Sequence, residues 1–353
     1  MSSDKKLVER IEYFDVLRIL ATFAVIVLHL SAQNWANVNV SSRAWFAFNL
    51  YDSAVRWAVP VFVMISGALF LGREVTLRTL LSKNILRIAA AFAFWSAAYA
   101  LIDLLVYRDT PAGALMQFFQ GHYHMWFLFM IVGLYLIIPL LQKFTCDEPL
   151  VRYFLLLGLV VAFLLPQLAV LASFFSWNVS SVISTILTYG HLHLPLGFTV
   201  YFVGGYYLSR RTFSKREELA VYLAGIAGFL FTVFASVWVS NRQGAASTLF
   251  YGHDTFNVLF MAVAVFVFAR QHLNLAHAGK RTRSLLRALS KYSFGAYLVH
   301  AMVIEALYGF FGLDTLAHNV SFSVPLLAAV VFLASMLISA VLHRIPLLKK
   351  YIV

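Results

Sequence analysis

Ten stretches of this chain are apolar for long enough to cross a lipid bilayer, and short clusters of lysine and arginine separate them. They fall near residues 14–34, 44–71, 84–107, 123–143, 150–173, 192–209, 219–240, 255–272, 285–312 and 321–343. A bilayer core about 30 Å thick takes roughly 20 helical residues to cross. A helix crosses well because it hydrogen-bonds its own backbone where no water is present to do so. The fold class expected is therefore all-α: a polytopic membrane helix bundle of about ten transmembrane helices, forming one integral membrane domain over residues 1–353. With 61% hydrophobic and only 12% charged residues, the composition excludes an ordinary soluble domain.

Charge sets the orientation. With the N-terminus placed in the cytoplasm, the outer loops hold only Arg43, Arg108 and Arg242, and Arg18 and Arg56 lie within helices. The other 22 of the 27 lysines and arginines, beginning with Lys5, Lys6 and Arg10, then fall on the inner side, which places both termini in the cytoplasm. One missed span would invert every later loop and spoil this bias. The net charge of +12 is thus a topology signal, and nucleic acid is not an expected partner; the lipid bilayer is. The single cysteine, Cys146, excludes an intramolecular disulfide, and no Cys/His spacing matches a metal site. Residues 1–10 are short, polar and basic, and the segment after them lacks a cleavage-like end, so it reads as a retained helix.

Arg18 and His29 stand out within the first span. Eleven residues separate them, about three helical turns, so they share one face roughly 16 Å apart along the axis. An ionisable side chain near the bilayer centre costs about 2.5–3.5 kcal/mol, and such groups usually face a bundle interior. Asp15 lies one turn before Arg18. His300 lies about as deep in the ninth span as His29 does in the first, and His122 and His124 open the fourth at the outer face. Asp52 and Arg56, one turn apart in the second span, are spaced for an ion pair.

Four segments carry a resemblance. They are Asp15-Val16-Leu17-Arg18 with ten residues to His29, Val59-Pro60-Val61-Phe62-Val63-Met64-Ile65-Ser66-Gly67, Tyr123-His124-Met125-Trp126-Phe127-Leu128 continued by Tyr135 and Pro139, and Ser290-Lys291-Tyr292-Ser293-Phe294-Gly295-Ala296-Tyr297-Leu298-Val299-His300. In this order the chain resembles the acyltransferase-3 family of bacterial membrane acyltransferases. It is most similar there to the enterobacterial common antigen O-acetyltransferase subgroup, which consists of the membrane domain alone. The resemblance implies a multi-pass O-acetyltransferase of the bacterial cytoplasmic (inner) membrane. Such an enzyme would move an acetyl or other acyl group from cytoplasmic acetyl-CoA (acyl-CoA) to a hydroxyl of a lipid-linked or surface glycan at the outer side, without a metal. Some relatives carry a soluble hydrolase-like domain after the last helix. This chain stops at Val353, so the membrane domain is expected to complete the transfer alone or to pass the acyl group to a separate protein.

Acyl transfer from a nucleotide thioester needs the anionic donor held, its carbonyl reached and a hydroxyl deprotonated. Arg18, whose guanidinium fork binds phosphate oxygens in pairs, is the expected donor-phosphate ligand, with Asp15 holding it and Arg87 assisting from the inner basic rim of Arg78 and Lys83. His29 is the expected general base, since imidazole titrates near 6.5. The 16 Å between them, roughly the length of an extended pantetheine arm, would let a donor anchored at Arg18 present its thioester near His29. His124 and His300 are each candidates to orient His29, to bind the acceptor or to be the base. Ser66 and Gly67 read as a close helix contact, and Asp52 with Arg56 as either part of an acceptor cleft or an internal pair. Glu305, five residues past His300, does not share its face and falls outside the catalytic set; His191, His193 and His253 read as exposed-loop or span-end residues. The rival readings are a secondary transporter or flippase for a small anionic or glycolipid substrate, and a non-catalytic binding module. A transporter would show a pair of broken helices, and only Pro60 signals a break. The sequence specifies no sugar hydroxyl and no oligomeric state.

Overall fold

The computed structural model describes residues 11–108, 110–174, 179–190, 193–273, 275 and 278–353, with the backbone alone for 179, 186–190 and 193–196. Lys5, Lys6, Arg10 and His191 lie outside the described residues, and His193 is described without its side chain. Every regular element among the described residues is helical. The first half comprises α1 (Glu12–Trp35), α2 (Arg43–Val55), α3 (Ala58–Phe70), α4 (Leu77–Thr79), α5 (Leu86–Leu105), α6 (Pro111–Gln120), α7 (Trp126–Phe144) and α8 (Glu148–Gly158). The second comprises α9 (Leu165–Ser173), α10 (Val179–Gly190), α11 (His193–Arg210), α12 (Lys215–Gln243), α13 (Phe256–His272), α14 (Lys280–Phe311), α15 (Val320–Leu342) and α16 (Pro346–Tyr351).

Among the described residues, eight helical stretches are long and apolar enough to cross a membrane. The two further spans expected from sequence correspond to α13, which has 17 residues, and to α11, whose path is non-helical at Gly197. Four short helices lie outside the expected spans: α4, α6, α10 and α16. Large apolar side chains such as Leu140, Phe310, Phe322 and Leu333 are exposed on the outside of the bundle, where lipid tails would cover them.

More of the spans are interrupted than the sequence indicates. The second divides at Arg56–Trp57 into α2 and α3. Pro60 explains this: it has no N–H for the Arg56 carbonyl four residues earlier, and its ring crowds that carbonyl. It sits instead in the first turn of α3, where a missing donor costs nothing. Leu80–Ile85 and Leu159–Leu164 are π-helical, each inserting a wider turn into a span. The expectation of a single broken helix is therefore corrected.

α1 occupies the middle of the bundle and packs on α2, α3, α14 and α15. Apolar burial gives helices in lipid little reason to associate, so close packing must hold them. The α3–α11 seam shows how close: a Cβ on Gly67 would lie 1.7 Å from the Phe202 carbonyl oxygen, and one on Gly205 would lie 2.0 Å from that of Met64. Only glycine fits at either place. This seam fixes the wall of α3 that carries Ser66.

Candidate active site

A cavity of about 1260 Å³ runs through the bundle beside α1. Lys83, Arg87, Lys291, His343, Lys349 and Lys350 line one end; Arg18, Ser66, Tyr135 and Ser290 line the middle; His29, Arg56, His124, Trp126 and His253 line the other end. Seven lysines and arginines face this cavity and no aspartate or glutamate does.

Arg18 is fixed from below. Its guanidinium lies 3.4 Å from Asp15 Oδ1, and the Ser290 hydroxyl donates to the same oxygen at 2.6 Å. Asp15 is buried while Arg18 stays partly exposed to the cavity, so the carboxylate orients the guanidinium without covering it. Arg87 donates to the main-chain oxygen of Val353 at 2.6 Å and lies over the Phe294 ring. The three predicted donor-side residues are thus near the basic end, two facing the cavity and Asp15 behind Arg18.

The three predicted histidines meet at the opposite end, although 271 positions separate the first from the last. His29 stacks on His300 with ring centroids 5.2 Å apart, and His124 lies 4.9 Å from His300 and 6.5 Å from His29. Their hydrogen bonds differ in a way that assigns them different capacities. His300 is fully buried and outside the cavity lining; its Nδ1 is 2.5 Å from the Tyr297 carbonyl, so Nδ1 carries the proton and Nε2 keeps a lone pair with no partner. His124 is engaged at both nitrogens, Nδ1 to His122 Nδ1 at 3.1 Å and Nε2 to the Leu298 carbonyl at 3.3 Å. His29 faces the cavity and makes no hydrogen bond among the described residues.

A second layer lies behind His124, and sequence reasoning missed it. His122 Nε2 contacts Glu305 Oε1 at 2.8 Å, its ring stacks on Tyr99 at 4.2 Å, and the Tyr297 hydroxyl donates to the His124 carbonyl at 2.5 Å. His122 thus joins the Glu305 carboxylate to His124, whose Nε2 is held in turn by the Leu298 carbonyl. Glu305 does not share a face with His300, and its partner His122 is on another element. The His-x-His spacing ahead of α7 was the available signal.

Arg56 forms the remaining wall. It pairs with the buried Asp52 carboxylate and lies over the Tyr251 ring at 4.2 Å. His253, expected to be an exposed-loop or span-end residue, lies just before α13, lines the cavity and stacks on Trp126 at 5.6 Å. Burial first, and Arg56 second, push its pKa down to about 3, so the ring is neutral at physiological pH. Its Nδ1 is buried without a protein partner. The described residues contain no group of three or more His, Cys, Asp or Glu side chains placed to hold a metal.

A family model described as an acyltransferase domain, that of the acyltransferase-3 family, matches residues 11–344. The chain belongs to the acyltransferase-3 family. No curated protein and no solved structure gives a match. Membership makes this a membrane acyltransferase, and the acyltransferase-3 match takes in all of the residues described above on α1, α3, α7 and α14. Of the cavity's lining, only Lys349, Lys350 and Tyr351 lie beyond its end.

Proposed function

We propose that this membrane acyltransferase takes an acetyl group from acyl-CoA at the basic end of the cavity and passes it to a hydroxyl of a cell-envelope glycan or lipid-linked saccharide at the histidine end. One observation carries the reading: a single cavity joins a lining with seven cations and no carboxylates to a histidine with both nitrogens unengaged. The cationic lining favours a polyanionic ligand, and Arg18 is its best-oriented phosphate ligand. Arg18 and His29 lie on one uninterrupted helix, about 16 Å apart, a length that suits a pantetheine arm.

Elimination among the three clustered histidines supports His29 as the general base. His124 has no lone pair to spare, and the free nitrogen of His300 does not line the cavity. His29 would accept the proton as the hydroxyl oxygen attacks the thioester carbonyl carbon. When the C–S bond breaks, the leaving thiolate takes that proton back, giving an O-acyl ester and the free thiol with His29 restored. The stacked His300, itself held by the Tyr297 carbonyl, supports the His29 ring. Trp126 and His253 offer adjoining ring faces at the same end, suited to a sugar, with Arg56 beside them. The basic end would face the cytoplasm under the positive-inside bias, and the family resemblance implies the bacterial inner membrane.

The interrupted helices favour one competing reading, secondary transport. Nanodisc-embedded protein supplied with labelled acetyl-CoA and cell-envelope glycolipid separates the two. Donor consumption that is lost in both His29→Ala and Arg18→Ala supports the enzyme. An inert wild-type protein that nevertheless moves glycolipid across the bilayer refutes it.

A further inference from the structure

The family match ends at Arg344, but the cavity wall continues past it. Lys349, Lys350 and Tyr351 of α16 line the basic end beside Lys83, Arg87 and Lys291. A helix of six residues has too few internal hydrogen bonds to persist alone, so its position must come from what it touches. Those contacts are specific. Trp95 Nε1 donates to the Ile352 carbonyl at 3.3 Å, and Arg87 to the Val353 oxygen at 2.6 Å. Ile352 and Val353 are buried in the same apolar cluster as Ala21, Trp95 and Leu298. Val353 lies so close to Gly295 that a Cβ there would come within 3.1 Å of the Val353 Cβ. The two exposed lysines are thus held at the mouth by an anchored strap. Among the described residues neither pairs with a carboxylate, and Lys350 instead lies 4.7 Å from the Tyr351 ring centroid.

We infer that α16 is part of the donor site, its Lys349 and Lys350 binding the ribose 3′-phosphate of acyl-CoA and Tyr351 facing the nucleobase. The inference rests on the acyl-CoA reading above. A donor whose thioester reaches His29 and whose diphosphate meets Arg18 still carries a nucleoside with a dianionic monophosphate. That group needs cations of its own at the mouth. Ammonium groups on flexible stems suit a phosphate that remains partly hydrated, whereas the buried diphosphate site calls for a guanidinium. A plain topology signal would need lysines only somewhere on this side of the bundle. It would not need the segment carrying them to be pinned into the core.

The test compares acetyl-CoA with 3′-dephospho-acetyl-CoA as donors for the full chain in nanodiscs. Wild type should show a KM about tenfold lower for acetyl-CoA, the difference expected when one charge-assisted contact is lost. Lys349→Ala with Lys350→Ala should raise the acetyl-CoA KM to the dephospho value, leaving kcat and the dephospho KM within about twofold. Lys349→Arg with Lys350→Arg should restore the preference. Lys143→Ala, an exposed lysine off the cavity, should keep it. A double alanine variant that retains the wild-type preference overturns the inference. So does equal loss on both donors, which would make α16 a structural strap only. A wild-type protein that consumes neither donor overturns the acyl-CoA reading itself.

Discussion

Replacing His29 with alanine removes the member of the His29–His124–His300 cluster that both faces the cavity and has nitrogens to spare. General-base catalysis typically contributes about 10²–10⁴-fold, or roughly 2.7–5.5 kcal/mol of barrier. The geometry argues for the full range, because neither of the two histidines clustered with it can readily take over. Recruiting His124 would break a contact to His122 or to Leu298, leaving a buried group unpaired at about 1–3 kcal/mol. Recruiting His300 would require a fully buried ring to reach the cavity. Folding should be largely unaffected, since His29 makes no hydrogen bond among the described residues that the variant would lose. Single-turnover transfer from labelled acetyl-CoA in nanodiscs should therefore show the rate down by at least about a hundredfold, with donor affinity changed by less than about threefold. Added imidazole should recover part of the rate by occupying the vacated space. A His29→Ala protein within about threefold of wild type, at matched folded amounts, would refute the elimination argument and shift the base to His300 or His253.

Three further outcomes follow from the packing and the hydrogen bonds. Gly67→Ala places a methyl 1.7 Å from the Phe202 carbonyl oxygen, so α3 and α11 must part, costing about 1–3 kcal/mol or more; thermal unfolding in detergent should come at a clearly lower temperature, and an unchanged midpoint would contradict the seam. Glu305→Gln keeps an acceptor for His122 but removes the carboxylate charge beside it; kcat should fall about tenfold at constant donor KM, and His122→Phe should add little on top because the two act through one network. Asp52→Asn leaves the Arg56 charge buried without its counter-ion and should cost about 3–5 kcal/mol in stability, whereas Asp52→Leu with Arg56→Met should recover most of it. If that double variant is stable but transfers poorly only through a raised acceptor KM, Arg56 belongs to the acceptor site and is more than an internal pair.

The sequence revealed most where one helix carries the information. Arg18 and His29 could be placed on a common face because α1 is unbroken between them, and the Ser66-Gly67 contact could be read from residue size alone. Contacts between helices were less accessible. Nothing in the spacing of α14 shows that the turn carrying Glu305 faces His122, which is 183 positions earlier. The π-turns at Leu80–Ile85 and Leu159–Leu164 left no trace in the apolar pattern, because widening a helix by one residue per turn does not change which residues are apolar. His253 looked like a loop residue by position, and it is one; its burial comes from Trp126 and Phe198 closing over it from other helices.

The separation of charge from histidine along the cavity has a kinetic consequence. In the proposed reaction the cations would grip the nucleotide, which leaves the reaction unaltered, while the departing acyl group would be neutral and beyond their reach. Spent coenzyme should therefore compete with fresh donor on nearly equal terms, since binding energy taken from an unchanged part of the molecule cannot tell substrate from product. Under this arrangement the pace of acylation would follow the cell's ratio of acetylated to free coenzyme rather than its total supply, and modification of the envelope would slow whenever that ratio fell.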